Sequence, residues 1–143
     1  MLTQTEADAL ISMGKTFVHP VTISIPLGTD KTYELIGDDK RERFFLDIWR
    51  GTLRLTKLKY QTRGRNVIVL VRLDVDGAPH TNPDGTIVRG SHIHVYREGY
   101  EDKWAYVIDP AEFRNISSIQ QTFEDFCSYC NIKDMLPFQG ELL

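Results

Sequence analysis

The sequence predicts an α+β fold: a single domain over residues 1–143, with a meandering antiparallel sheet of about six to seven strands packed by an N-terminal and a C-terminal helix. Three observations predict it. Helix-capping patterns stand near both ends of the chain, short alternating segments separated by turn formers fill the middle, and no internal repeat or second composition regime interrupts them.

The first helix is placed at residues 4–14. Thr3 and Glu6 have the spacing at which a hydroxyl and a carboxylate satisfy free backbone N–H groups reciprocally, Ala7, Leu10 and Ile11 follow at helical spacing, and Gly14 is expected to end the helix in a left-handed conformation. After His19-Pro20 the period becomes two. Val21, Ile23 and Ile25 alternate with Thr22 and Ser24, predicting a strand that Pro26-Leu27-Gly28 breaks. Residues 32–37 and 43–50 flank a polar Asp38-Asp39-Lys40-Arg41 connection and read as a hairpin; residues 53–62 and 66–75 flank Arg63-Gly64-Arg65 and read as another. In the latter strand Val67, Val69, Val71, Leu73 and Val75 alternate while Ile68 and Leu70 are also apolar, which places it inside the sheet. Residues 76–85 are dense in turn formers and predict a long surface loop. Strands at 91–97 and 104–109 make a third hairpin, stopped by Pro110. Ser118 with Gln121 opens the last helix, whose Ile119, Phe123, Phe126, Cys127 and Cys130 share one face, with Asn131 as its cap; the tail from Pro137 is expected to be loosely held.

With 143 residues, 41% hydrophobic and 26% charged, and a net charge of -3, the chain is able to bury a core without a disulfide or metal. Collagen-like, low-complexity and disordered classes are excluded. No apolar stretch nears the ~20 residues of a membrane span and the first residues lack a signal-peptide pattern, so a cytoplasmic location is expected. Cys127 and Cys130 read as buried core thiols. Asp74-Val75-Asp76-Gly77 has the opening of a calcium loop, but Ala78 and Gly85 stand where ligands are required, so it reads as a strand-ending turn.

The sharpest chemical signal is His80, His92 and His94. Residues two apart on a strand project to one face, so His92, His94 and Tyr96 are expected to form a polar row while Ile93 and Val95 face the core. Two imidazoles there suit general acid and base catalysis, with Arg97 (and Arg89 or Lys103) stabilising a charged phosphorane. A simply solvated His-x-His is the plain alternative. So is a metal site of His92, His94 and either His80 or Glu98; that His-x-His-x-x-x-Glu order resembles the first cupin motif, but no histidine follows His94 to supply a second one.

The second signal is electrostatic. Residues 40–65 hold nine basic side chains against Glu42 and Asp47, a local +7 that leaves -10 on the rest of the chain. Arg54, Lys57, Lys59, Arg63 and Arg65 are the candidates for a nucleic-acid surface, with Tyr96 to stack an unpaired base. Division of these cations between two sheet faces, each paired with an acid, is the competing reading.

Together these features predict a small RNA-directed, metal-independent hydrolase of toxin-like type, with His80, His92, His94 and Arg97 catalytic and neither metal nor cofactor assigned. The alternatives are a non-catalytic module binding nucleic acid or an acidic protein partner, and a metal-dependent His-x-His enzyme. The stretch from Val67 to Ile108, notably residues 76–85, His92-Ile93-His94-Val95-Tyr96 and the segment 98–105, resembles a bacterial and phage family of small proteins of unknown function. The resemblance covers about a third of the chain and implies a prokaryotic origin, with no activity, ligand or catalytic residue attached.

Overall fold

The computed structural model describes residues 1–20 and 22–133. Both end helices are present, α1 (Gln4–Ser12) and α2 (Ile119–Tyr129). Thr3 and Glu6 form the complete reciprocal cap, with Glu6 N donating to Thr3 Oγ1 at 3.1 Å and Thr3 N donating to Glu6 Oε1 at 3.0 Å. Ser118 caps α2 by accepting from Gln121 N, and Asn131 follows it in the left-handed region at φ 55°. Gly14 does not play that part for α1, because the chain leaves through Met13 in an extended conformation. Glycine is required at 14 for space: a β-carbon would collide with the Asp38 carboxylate and the Lys133 ammonium group, which pair there at 2.8 Å.

Among the described residues, nine strands lie between the helices: β1 (Lys15–Phe17), β2 (Asp30–Gly37), β3 (Arg43–Arg50), β4 (Leu58–Gly64), β5 (Ile68–Val75), β6 (His80–Thr81), β7 (Ile87–Val88), β8 (His92–Val95) and β9 (Ala105–Val107). Seven form one antiparallel sheet in the order β1-β2-β3-β4-β5-β8-β9, an α+β meander as the pattern predicts, while β6 and β7 pair separately. The loop expected at 76–85 therefore contains a strand of its own.

Of the strand expected at 21–25, the described residues 22–25 form no continuous ladder. Ile23 makes a single bridge and the rest of the described segment is irregular, although Ile23 and Ile25 are fully buried. Alternation here reports burial without a ladder, and Arg50 Nη1 satisfies the Ile25 carbonyl at 2.8 Å in place of a neighbouring strand. Val21 and the tail from Pro137 lie outside the described residues. The strand expected from 53 starts at Leu58, because Arg50 also donates to the Leu55 carbonyl at 2.7 Å and draws 51–57 into a loop. The next reversal falls at Arg65 and Asn66, with φ 48° and 70°, and Gly64 stays in the ladder opposite Phe44 and Ile68. No helix among the described residues is long and apolar enough to cross a membrane.

Both helices pack on one face of the sheet. Leu10 from α1 and Phe123, Phe126 and Cys127 from α2 join Phe44, Leu46, Ile48, Tyr60, Leu73 and Ile93 in a continuous core. Cys127 and Cys130 are buried free thiols, as expected of core residues. At the C-terminal ends of both helices sits a fully buried cation: Lys15 Nζ donates to the carbonyls of Ile11 (2.9 Å), Met13 (2.9 Å) and Cys130 (2.8 Å), over the Phe44 ring.

The opposite face is polar and its rows follow from register. Thr32, Asp47, Gln61, Arg72 and His94 are consecutive cross-strand partners, as are Asp30, Trp49, Lys59, Asp74 and His92. The β6–β7 hairpin lies over the β8 end of this face. Asn82 anchors it by imitating a strand: Ala105 N donates to Asn82 Oδ1 at 2.8 Å and Asn82 Nδ2 donates to Ala105 O at 3.0 Å, which occupies the edge of β9.

Two stability measurements test these anchors. Asn82→Ala strands both buried backbone groups of Ala105 and is expected to cost about 2–3 kcal/mol in urea unfolding; a midpoint unchanged from wild type would show that the clamp is idle. Burial lowers the Lys15 pKa from 10.5 to about 8, so above that value the unfolded chain binds more protons at Lys15 than the folded one. Wild-type stability relative to Lys15→Met should therefore rise by up to about 3 kcal/mol between pH 8 and 10.5. A difference that stays flat or falls across this window contradicts the assignment.

Candidate functional site

The pleat carries Arg72 and Asp74 on β5 and His92 and His94 on β8 to the polar face, and antiparallel register sets Arg72 opposite His94 and Asp74 opposite His92. The predicted shared face of His92 and His94 is thus present, with Ile93 on the core side, but it is not solvated. His92 and His94 are each 1% exposed and Asp74 is 8% exposed, beneath the segment that carries His80.

The three histidines converge. Ring centres lie 5.0 Å apart for His92 and His94, 4.6 Å for His80 and His94, and 5.9 Å for His80 and His92. One nitrogen of each ring meets a backbone carbonyl: His92 Nδ1 with Gly90 O (2.9 Å), His94 Nδ1 with Asp102 O (2.8 Å) and His80 Nε2 with Lys103 O (2.7 Å). A carbonyl only accepts, so each of these nitrogens carries the proton, and in the neutral ring the other nitrogen keeps a lone pair.

Those lone-pair nitrogens face an anion. Asp74 Oδ2 is 3.3 Å from His92 Nε2 and 3.4 Å from His94 Nε2, and one donor atom from each of the three residues falls within a cluster 4.8 Å across. Arg72 borders the group: Nη2 donates to His94 Nε2 at 3.0 Å, Nε lies 3.2 Å from Asp74 Oδ1, and Nη1 pairs with Asp102 at 3.1 Å. Burial by itself would raise the Asp74 pKa, but when the facing imidazole nitrogens carry protons their hydrogen bonds, together with the Arg72 charge, outweigh it and hold the carboxyl well below its usual range. The Asp74 contact raises the His92 pKa against the opposing effect of burial, with the Gly90 carbonyl contributing. Asp74 Oδ1 and Arg72 Nε remain buried without a hydrogen-bond partner of good geometry.

Asp74 and Arg72 are the members that the sequence reading missed as site residues. The available signal was two charged residues interleaved with Val71, Leu73 and Val75 on a strand expected inside the sheet. Glu98, an expected alternative ligand, instead accepts from Gln4 N at 2.7 Å at the start of α1. Tyr96 is 2% exposed and its hydroxyl exchanges hydrogen bonds with the Leu2 backbone, so its ring offers no face to a base. Arg97 stacks on Trp104 at 4.3 Å and Tyr100 at 5.7 Å, leaving Arg72 as the cation that touches the histidine cluster.

The basic segment disperses into ion pairs. Arg54 binds Asp76, Arg63 binds Asp47, Arg65 binds Glu42 and Arg43 binds Glu34, while Arg50 is buried against carbonyls. Lys57 and Lys59 form no ion pair among the described residues, and Lys59 lies over the Trp49 ring at 5.6 Å. Beside the cluster runs a groove of about 290 Å³ lined by Asp30, Asp47, Trp49, Lys59, Gln61 and Arg72. Arg72 belongs to both.

This arrangement is equipped to hold a cation. Donors bound to one tetrahedral ion at ~2.0–2.1 Å stand roughly 3.3 Å from one another, which is the separation of the Asp74 oxygen from the two imidazole nitrogens. The chain's likeness to known proteins bears on its family and leaves its chemistry to the residues themselves. No curated protein and no solved structure matches it. A family model matches residues 2–132, and the chain accordingly belongs to DUF6978, a family of unknown function.

Proposed function

We propose that this chain is a metal-dependent hydrolase in which Asp74, His92 and His94 hold one divalent ion of the zinc class. The observation that supports it is the pairing of two proton-fixed imidazoles with one carboxylate, whose oxygen stands at tetrahedral ligand spacing from a nitrogen of each ring, all three donors lying within 4.8 Å of one another. Without a cation, Asp74 Oδ2 faces the lone pair of His92 unless that buried ring is protonated, while Arg72 alone engages the lone pair of His94. A single divalent ion satisfies all three donors. Backbone carbonyls on the outer nitrogens are the usual means of fixing a ligand's tautomer and orientation.

This reading takes the metal-dependent alternative over the metal-independent one. Acid and base catalysis by His92 and His94 needs nitrogens that reach a substrate, and here one nitrogen of each ring is bound to a carbonyl while the other meets Asp74. Three protein donors are the number found in catalytic zinc centres, where the metal supplies water activation and polarisation of the scissile bond. Arg72, shared by the cluster and the groove, is placed to meet a substrate anion. Trp49 gives the groove a ring face and Lys59 a cation, a pairing that suits an unpaired nucleotide. Phosphodiesters, RNA first among them, are therefore the substrates to assay.

The metal centre is tested by titrating the chelator-stripped protein with Zn²⁺. One equivalent should bind and stabilise the fold by about 2.7 kcal/mol at a hundredfold excess over Kd. Asp74→Asn, His92→Ala and His94→Ala should each weaken binding by more than the roughly 10–100-fold that loss of an outer partner costs. Absence of stoichiometric uptake for Zn²⁺, Co²⁺ and Mn²⁺ alike would end the metal reading.

Catalysis is tested separately with single-stranded RNA and a chromogenic phosphodiester. Cleavage should require the metal and fall at least about 100-fold in Arg72→Gln, the order lost with one charge-stabilising donor. A metal-loaded protein inert toward both substrates would leave a metal-binding module.

A further inference from the structure

We infer that His80 is a displaceable fourth ligand of the same ion, so that the β6–β7 hairpin closes the centre in its resting state and must release the ion for an outside molecule to reach it. The inference rests on Asp74, His92 and His94 being metal donors and adds the regulation of that site.

Three independent features lead to it. Imidazoles bound to one tetrahedral ion at ~2.0–2.1 Å have ring centres roughly 5 Å apart. His80 stands 4.6 Å from His94 and 5.9 Å from His92, whose own separation is 5.0 Å, and since it lies outside the tight group of Asp74, His92 and His94, binding the ion draws the hairpin inward. His80 has the same proton assignment as its neighbours: Nε2 donates to the Lys103 carbonyl at 2.7 Å, which leaves the lone pair on Nδ1. Lys103 follows Asp102, whose carbonyl fixes His94, so one turn orients two of the rings.

The third feature is the hairpin itself. Two residues per strand are too few to be stable in isolation, and its attachments to the sheet include the Asn82 clamp, the buried Val88 of β7 beside β9, and the His80 contacts at β8 and Lys103. A metal bond at His80 would close the loop from β5 to β8 across the ion. His80 is only half-buried whereas His92 and His94 are sealed, which makes it the ligand an incoming group would displace. Four protein donors describe a closed site and three an open one, so the position of this hairpin determines which the ion experiences.

Hydrogen exchange of residues 80–88, with and without Zn²⁺, tests this in the full chain. In wild type, added Zn²⁺ should slow exchange in this segment by roughly tenfold or more. In His80→Ala the ion should still bind at one equivalent, with affinity lowered by about tenfold or more, and the segment should gain no protection. His80→Gln, which keeps a donor for the Lys103 carbonyl, should behave as His80→Ala does; urea midpoints of both metal-free variants check that the fold is intact. If both variants match wild type in affinity and in Zn²⁺-dependent protection while Asp74→Asn loses the metal, the hairpin ligand is refuted and the three-residue centre stands. If wild type takes up no metal, the centre and the inference both fall.

Discussion

An open sheet has two faces, and this chain carries enough apolar helix to cover one. That constraint organises the rest. Leu10 from α1 and Phe123, Phe126 and Cys127 from α2 fill one side, and every residue of the opposite register must be polar, paired or covered by something else. Asp47 shows the first solution, accepting from Thr32, Gln61 and Arg63 on neighbouring strands. Asp74 shows the second, where a short hairpin is folded down over the row and the polar residues beneath it are cut off from water. Burial there changes the chemistry, since a carboxylate deprived of solvent must find its positive charge within a few ångströms.

The same constraint explains why the sequence was legible in some places and opaque in others. Helix ends depend on residues three apart, so Thr3 with Glu6 and Ser118 with Gln121 could be read locally and formed as expected. Period-two alternation located β2, β3, β5 and β8 because each packs one face on a common core. It misread 21–25, where Ile23 and Ile25 are buried but the chain is held by the Arg50 side chain, and it passed over β1, whose first residue is a buried lysine. A lysine signals solvent in any local pattern. Only the arrival of two helix C-termini at one point, fifteen residues and 130 residues into the chain, makes Lys15 a core residue.

The site was half legible for a similar reason. His92 and His94 share a face by strand geometry alone, and His80 was close enough in sequence to be grouped with them. Their partner Asp74 stands eighteen residues before His92 and is set opposite it by the β5–β8 register, which no local spacing encodes. Register also undid the basic segment as a surface. Glu34 and Asp47 come within reach of Arg43 and Arg63 through strand pairing, so charges that accumulate along the sequence cancel across the sheet.

Stability alone is a poor reason for the Asp74 cluster. Replacing a buried group of charges by apolar residues of similar volume is often neutral or stabilising, and the face around it could have been finished with valines like those elsewhere on β5. The chain instead holds three imidazoles within 6 Å of one another, directs one proton of each to a separate carbonyl, and aims two of the remaining nitrogens at a single carboxylate oxygen. Arg72 supplies positive charge at the edge of that group but reaches only one imidazole nitrogen, and it leaves its own Nε and Asp74 Oδ1 without good partners. A fork of fixed shape cannot meet three converging donors, whereas a spherical cation can. The proposed metal centre rests on these spacings and on the unpartnered Asp74 Oδ1, with the polar face as the approach to it and the hairpin as its cover.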